Sequence, residues 1–179
     1  MRRIRAGTRA ALAMIAATTA CRAPRQDVAP GTCAPPEATM LRADARADSL
    51  VGAFALAVVA RTGPKAGQRV GGSLALLRAD TLHYGSAEID LAAVGAVGSG
   101  ALATSDPLAP GVRVFAVPGN IMLRLGADAN NPREIRFEGS YTVLRVRELD
   151  PAGMRGVWVS GAVEEVASGY FCATRVPNP

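Results

Sequence analysis

The chain has 179 residues, 49% of them hydrophobic and 4% aromatic, with 20 basic and 15 acidic side chains and a net charge of +5. The hydrophobic content excludes a mainly disordered chain, and the length suits one domain with a tail. The one histidine, His83, argues against a metal centre or a catalytic triad built from histidine. Residues 1–20 hold +4 of the +5, so the rest of the chain is near neutrality and indicates no nucleic-acid partner.

The N-terminus has the three parts of a secretory signal peptide. Residues 1–9 are positively charged, residues 10–17 are apolar, and residues 18–20 are small. The apolar run is shorter than the roughly 18–20 residues of a membrane-spanning helix. We therefore expect residues 1–20 to be a signal peptide that is removed on export.

Cys21 directly follows the small residues, and this arrangement resembles the lipobox of bacterial lipoproteins. The resemblance implies that Cys21 is acylated and anchors the chain to a membrane, which two or three acyl chains do stably. Thr18 stands where the family favours leucine, so simple secretion after cleavage at the same bond is the alternative. Arg22 follows the cysteine in place of an aspartate, which implies the outer membrane, on the periplasmic side of the cell envelope.

The other two cysteines, Cys33 and Cys172, make an even number once Cys21 carries lipid. An oxidising compartment favours a disulfide between them. It would close a loop of about 140 residues, for which the chain-entropy model gives about 4–5 kcal/mol. The alternative is two unpaired cysteines, one in a tail and one in a buried strand. No Cys-x-x-Cys pair or Cys/His cluster indicates a metal, and we expect no cofactor.

Three segments follow the signal peptide. Residues 21–38 contain four prolines after Cys21 and predict an extended tether between anchor and domain. Residues 39–50 combine alanine, leucine and mixed charges, which favour a short helix. Residues 51–176 form the predicted β domain.

The β domain begins with a strict period of two, because Phe54, Leu56 and Val58 alternate with alanine or valine from residue 51. A hairpin loop at 61–68 precedes a strand over 70–78, and residues 85–111 predict only a weak strand or short helix near 87–94. Further strands are predicted at 112–116, 121–125, 134–138, 141–148, 154–160 and 169–176.

About eight short strands joined by turns, without intervening long helices, favour an all-β antiparallel fold. Such a sheet protects its edges by closing into a barrel or by folding into a sandwich. Because the hairpins are mostly sequential, an up-and-down barrel is the prediction and a β-sandwich the alternative.

Gly52, Ala53 and Phe54 at the start of the first strand resemble the Gly-x-Trp of lipocalin barrels, with phenylalanine in place of tryptophan. In that family a basic residue at the end of the last strand packs over the aromatic ring, and Arg175 is placed to do so. The resemblance implies a lipocalin-like (calycin-like) barrel whose interior binds a small apolar ligand. The candidates to line such a cavity are Phe54, Phe137, Tyr141 and Trp158. Packing of a filled core is the favoured interpretation of the same residues, since small barrels fill their interiors with side chains.

No catalytic pattern emerges from the sequence. The adjacent Glu164 and Glu165 would point to opposite faces of a strand, and the glycine-rich 95–100 lacks the lysine of a phosphate loop. We therefore expect a non-catalytic envelope protein whose partners are the membrane and either a small apolar ligand or an envelope protein. A ligand carrier needs an open cavity, whereas an interaction module has a filled core and an exposed apolar patch.

Overall fold

The protein is an antiparallel up-and-down β-barrel of eight strands. The computed structural model describes residues 33–80, 82–97, 111–126, 141–162 and 164–177. Each strand pairs with the next one in sequence, and the last returns to the first and closes the barrel. The predicted barrel is confirmed, and the sandwich is not adopted. The strands are β1 (Gly52–Ala60), β2 (Arg69–Ala79), β3 (Leu82–Glu88), β4 (Val112–Val117), β5 (Asn120–Leu125), β6 (Tyr141–Asp150), β7 (Gly153–Gly161) and β8 (Glu165–Arg175).

Strand β3 differs most from the sequence-based expectation. It begins at Leu82, and the region near 87–94 holds the end of this strand and a 3-10 helix, η2 (Leu91–Val94). The pattern was hard to recognise because the inward positions of β3 are His83, Gly85 and Ala87, which supply little apolar bulk. The strand predicted at 134–138 lies outside the described residues.

The interior is built from alternating residues of every strand, and large side chains face small ones. Trp158 pairs with Gly169 across β7 and β8, and Gly156 pairs with Phe171. A side chain at position 169 would meet the backbone oxygen of Val59 and the Trp158 indole nitrogen, the latter at 2.8 Å. Glycine is needed there because the indole ring already occupies the space, as in a core packed to native density.

Two 3-10 helices close the ends of the barrel. The first, η1 (Ala47–Leu50), places Leu50 under the start of β1, and Leu50 is fully buried. Within the range 39–50, for which the sequence favours a short helix, only these four residues are helical. At the opposite end, η2 buries Leu91 and Val94 and contacts β1 and β2.

A β-bulge in β6 changes which residues face outward. The pairing of β6 with β7 shifts between Val146 and Glu148, so Arg147 has no partner across the ladder. Val146 faces the core before the bulge, and Leu149 packs against the core after it. The bulge therefore turns the Glu148 carboxylate to the outside of the barrel, which is a common use of such an inserted residue.

Residues 33–46, here called the strap, run across the outside of the barrel. The disulfide between Cys33 and Cys172 fixes one end, with a Cα–Cα distance of 5.6 Å. Glu148 accepts hydrogen bonds from the backbone N–H groups of Glu37, at 2.6 Å, and Ala38, at 3.0 Å. The predicted disulfide is confirmed, and the described part of the predicted tether, 33–38, lies against the barrel.

Candidate functional site

The barrel interior, where the lipocalin resemblance implies a ligand, is filled with side chains. Phe54 is 1% exposed and Trp158 is 0% exposed, and Phe171 and Leu144 are as deeply buried. A void that could hold a water molecule would give its lining side chains exposed area, so these residues enclose no such space. Of the other candidates, Phe137 lies outside the described residues, and the Tyr141 side chain is not described.

Polar groups inside the barrel are paired within the fold. The Trp158 indole N–H donates to the backbone oxygen of Val59 at 2.9 Å. Near η2, the hydroxyl of Ser160 accepts from the backbone N–H of Val97 and contacts the hydroxyl of Thr142, each at 2.9 Å. These bonds stabilise the barrel and the segment after η2, since a buried polar group is costly unless it is paired.

Arg175 and Phe54 lie together at the opposite end. The guanidinium carbon is 4.8 Å from the ring centroid, a cation–π distance. The same group donates to the backbone oxygens of Ser49, at 2.7 Å, and Val51, at 2.8 Å. Arg175 therefore holds η1 and the start of β1 to the last strand, which makes it a latch for this end of the barrel.

Replacing Arg175 with lysine is expected to lower the free energy of unfolding by about 1–2 kcal/mol. Lysine keeps the charge but lacks the planar fork that reaches two carbonyl oxygens and stacks on a ring. Urea unfolding measures the effect, with Arg145→Lys as control because Arg145 is exposed on β6. Equal stability of the two variants would contradict the latch.

A groove lies on the outside of this end, between the strap and the β6–β7 hairpin. This end groove has a volume of about 830 Å³. Its apolar part includes Met40, Leu41 and Leu149, and four arginines and three acids also line it. Leu41 of the strap is buried and Leu149 of β6 is partly buried, and packing against the barrel core fixes both in the floor.

Five of the seven charged side chains in the end groove already have partners, either in ion pairs or in hydrogen bonds to the backbone. Arg42 lies 2.9 Å from Asp44, and its hydrogen bond and charge hold the pKa of that exposed carboxyl below its usual range. Glu148 pairs with Arg155 at 3.1 Å. Asp150 accepts from the backbone of its own turn, and Arg175 is used by the latch.

Two guanidinium groups of the end groove remain, those of Arg46 and Arg147. Neither has a hydrogen bond or ion pair within the part of the chain that the structure describes. The groove can therefore offer two cations beside an apolar floor. Sequence reasoning missed the groove because its residues come from segments about 100 positions apart. Arg147 differs from the other arginine of β6 only through the bulge, which the sequence does not show.

A second surface, here called the outer patch, covers the outer face of β2 to β5. Leu77, Leu82 and Val117 are 40%, 56% and 60% exposed. Half-buried apolar residues on the same outer face join them: Tyr84, Phe115 and Met122. Leu77 pairs with Tyr84 and Phe115 pairs with Met122, while the β4 partner of Tyr84 is Arg113, so the patch holds two apolar pairs and a cation. Exposed apolar residues grouped on one face mark interaction surfaces.

His83 belongs to a small polar cluster at the end of the barrel. Its Nε2 lies 3.1 Å from an Asp48 carboxylate oxygen, which also pairs with Arg78 at 2.7 Å. This cluster ties η1 to the β2–β3 hairpin. Among the described residues, no group of three or more His, Cys, Asp or Glu side chains could hold a metal ion. None of the helices in those residues has the length and apolar character needed to cross a membrane.

No family model matches the chain, and no curated protein or solved structure matches it.

Proposed function

We propose that the chain is an exported, lipid-anchored envelope protein whose barrel is a non-catalytic interaction module with a filled core. The observation that carries this proposal is the interior, where Trp158, Phe171 and Phe54 occupy the space that a ligand would need. Helices η1 and η2 cover the two ends. A filled barrel favours recognition on the outer surface over carriage of a small apolar ligand inside.

Export is supported by the disulfide and by the signal-like N-terminus. A bridge between Cys33 and Cys172 persists in oxidising compartments such as the periplasm. Cys21 precedes Cys33 by 12 residues, which span at most about 40 Å. An acylated Cys21 would therefore keep the barrel close to the membrane, in our proposal the periplasmic side of the outer membrane. Secretion without lipid is the alternative.

The outer patch is the surface that we propose for the partner. In the closed barrel β4 lies opposite β8, so the patch is on the side away from Cys172 and the start of the strap. Since the patch is apolar at Leu82 and Val117, the partner is expected to be an envelope protein with a complementary apolar surface.

A photo-crosslinking amino acid at position 82 tests this surface in cells. Leu82 is 56% exposed, and we expect one discrete crosslinked protein species. Val117→Glu should reduce that crosslink about tenfold or more, because a charge would be buried against an apolar partner. Position 166 on β8 is the control site, since Val166 is also apolar and exposed, at 43%, but lies outside the outer patch.

Equal crosslinking from positions 82 and 166, or a product at position 82 that persists in Val117→Glu, would contradict docking on the outer patch. Thermal unfolding of Val117→Glu serves as the folding control. Val117 is 60% exposed at the end of β4, so its melting temperature should be close to that of the unsubstituted chain.

A further inference from the structure

We propose that the end groove binds a small anionic amphiphile, a molecule with one acid group and an apolar chain. The acid group would lie between Arg46 and Arg147, and the chain would lie on the apolar floor. This site is separate from the outer patch and from the barrel interior, so it goes beyond the interaction role proposed above.

The charge balance of the end groove favours an anionic ligand. Of its three acids, Asp44 is paired with Arg42 and Glu148 with Arg155. Asp150 accepts only from the backbone of its own turn and keeps its charge, so the groove has one uncompensated anion against the three cations Arg46, Arg147 and Arg175. Arg46 and Arg147 have no partner within the described residues. An incoming carboxylate would therefore meet two available guanidinium groups without displacing an existing ion pair. Such charge-assisted hydrogen bonds are stronger than neutral ones.

The β-bulge places one of the two arginines, Arg147, at the groove. It leaves Arg147 outside the β6–β7 ladder, and Arg147 lines the end groove on the side of the hairpin. The same bulge turns Glu148 to the strap, whose backbone it holds at 2.6 and 3.0 Å. One backbone irregularity thus fixes the groove wall and presents a cation beside it. Bulges commonly re-aim side chains next to functional sites.

The volume and the apolar floor of the end groove favour a ligand with an apolar chain. The volume of about 830 Å³ lies within the range of about 300–1,000 Å³ typical of small-molecule sites. Leu41 and Leu149 give an apolar floor, and Met40, which is 72% exposed, stands at the rim. A flexible methionine adapts to apolar chains of varied shape. The occupant should therefore combine an acid with an apolar chain.

Isothermal titration of the disulfide-bonded chain with dodecanoate, below the concentration at which it forms micelles, measures the binding. We expect saturable binding of one molecule that weakens as salt rises, because the contact is ionic and near the surface. Dodecyltrimethylammonium has the same chain with a positive head and should bind at least about tenfold more weakly. Acetate, which has the acid without the chain, should not bind measurably.

The variant Arg46→Gln/Arg147→Gln is expected to weaken dodecanoate binding by about tenfold or more, because it removes two charge-assisted bonds. Arg145→Gln is the matched control, since Arg145 lies on the same strand, is exposed and does not line the groove. It should change the affinity less than about twofold, and the melting temperatures of both variants should stay near that of the unsubstituted chain.

Absence of dodecanoate binding would overturn the proposal. Equal affinity for the two head groups would also overturn it, because it would show apolar adsorption without charge recognition. An equal loss in Arg145→Gln would assign the effect to net charge instead of the groove. Binding to vesicles of anionic phospholipid without binding of dodecanoate would assign the arginines to a membrane surface, which also contradicts the proposal.

Discussion

Trp158→Ala is expected to lower the free energy of unfolding by about 3–5 kcal/mol, the range for removing a buried large aromatic side chain. The indole ring is 0% exposed and packs over Gly169, with a hydrogen bond to the Val59 backbone oxygen. Its removal leaves a cavity inside the barrel and removes the hydrogen bond to Val59. Urea unfolding of the disulfide-bonded chain measures the loss.

Two further variants separate the causes of this loss. Trp158→Phe retains most of the ring volume but removes the bond to Val59, and should cost about 1–3 kcal/mol. Val166→Ala removes apolar atoms from an exposed position on β8 and should cost less than about 0.5 kcal/mol. If Trp158→Ala cost as little as Val166→Ala, the interior would have open space around the ring, and the filled core would be wrong.

The double variant Cys33→Ser/Cys172→Ser is expected to be about 2–5 kcal/mol less stable than the oxidised chain. The bond spans a sequence separation of 139, so its removal frees a long loop in the unfolded chain. It also releases the end of the strap from β8. Urea unfolding with and without a thiol reductant measures both chains.

The reductant gives the control within the same experiment. It should lower the stability of the unsubstituted chain to that of the double variant and leave the double variant unchanged. A reductant-insensitive unsubstituted chain would contradict the bridge. A double variant as stable as the oxidised chain would contradict the stabilisation expected from the bridge.

The strands that the sequence predicts well are those whose inward positions carry large apolar side chains. Phe54, Leu56 and Val58 alternate with small residues, and all three are buried. Strand β3 was harder to predict because Gly85 and Ala87 occupy its inward positions. In that part of the core the large side chains come from the neighbouring strands, so the sequence of β3 alone shows no apolar period of two.

The proximity of Phe54 and Arg175 could be predicted from a local resemblance, because they lie on the first and last strands, which pair in any closed up-and-down barrel. The end groove could not be predicted in this way. It depends on a bulge at Arg147 and on which arginines are already paired, and both are properties of the folded chain. The outer patch was also missed, since its residues come from four strands and become one surface only through the register.

The intact mass of the chain extracted from the membranes of its own cells tests the anchored-envelope proposal most directly. We expect a mature species that begins at Cys21, is heavier than its polypeptide by the attached acyl chains, and gains the mass of two hydrogens on reduction. These values correspond to a lipid on Cys21 and a bridge between Cys33 and Cys172. A chain that retains residues 1–20, or begins at an unmodified Cys21, would contradict the lipid anchor.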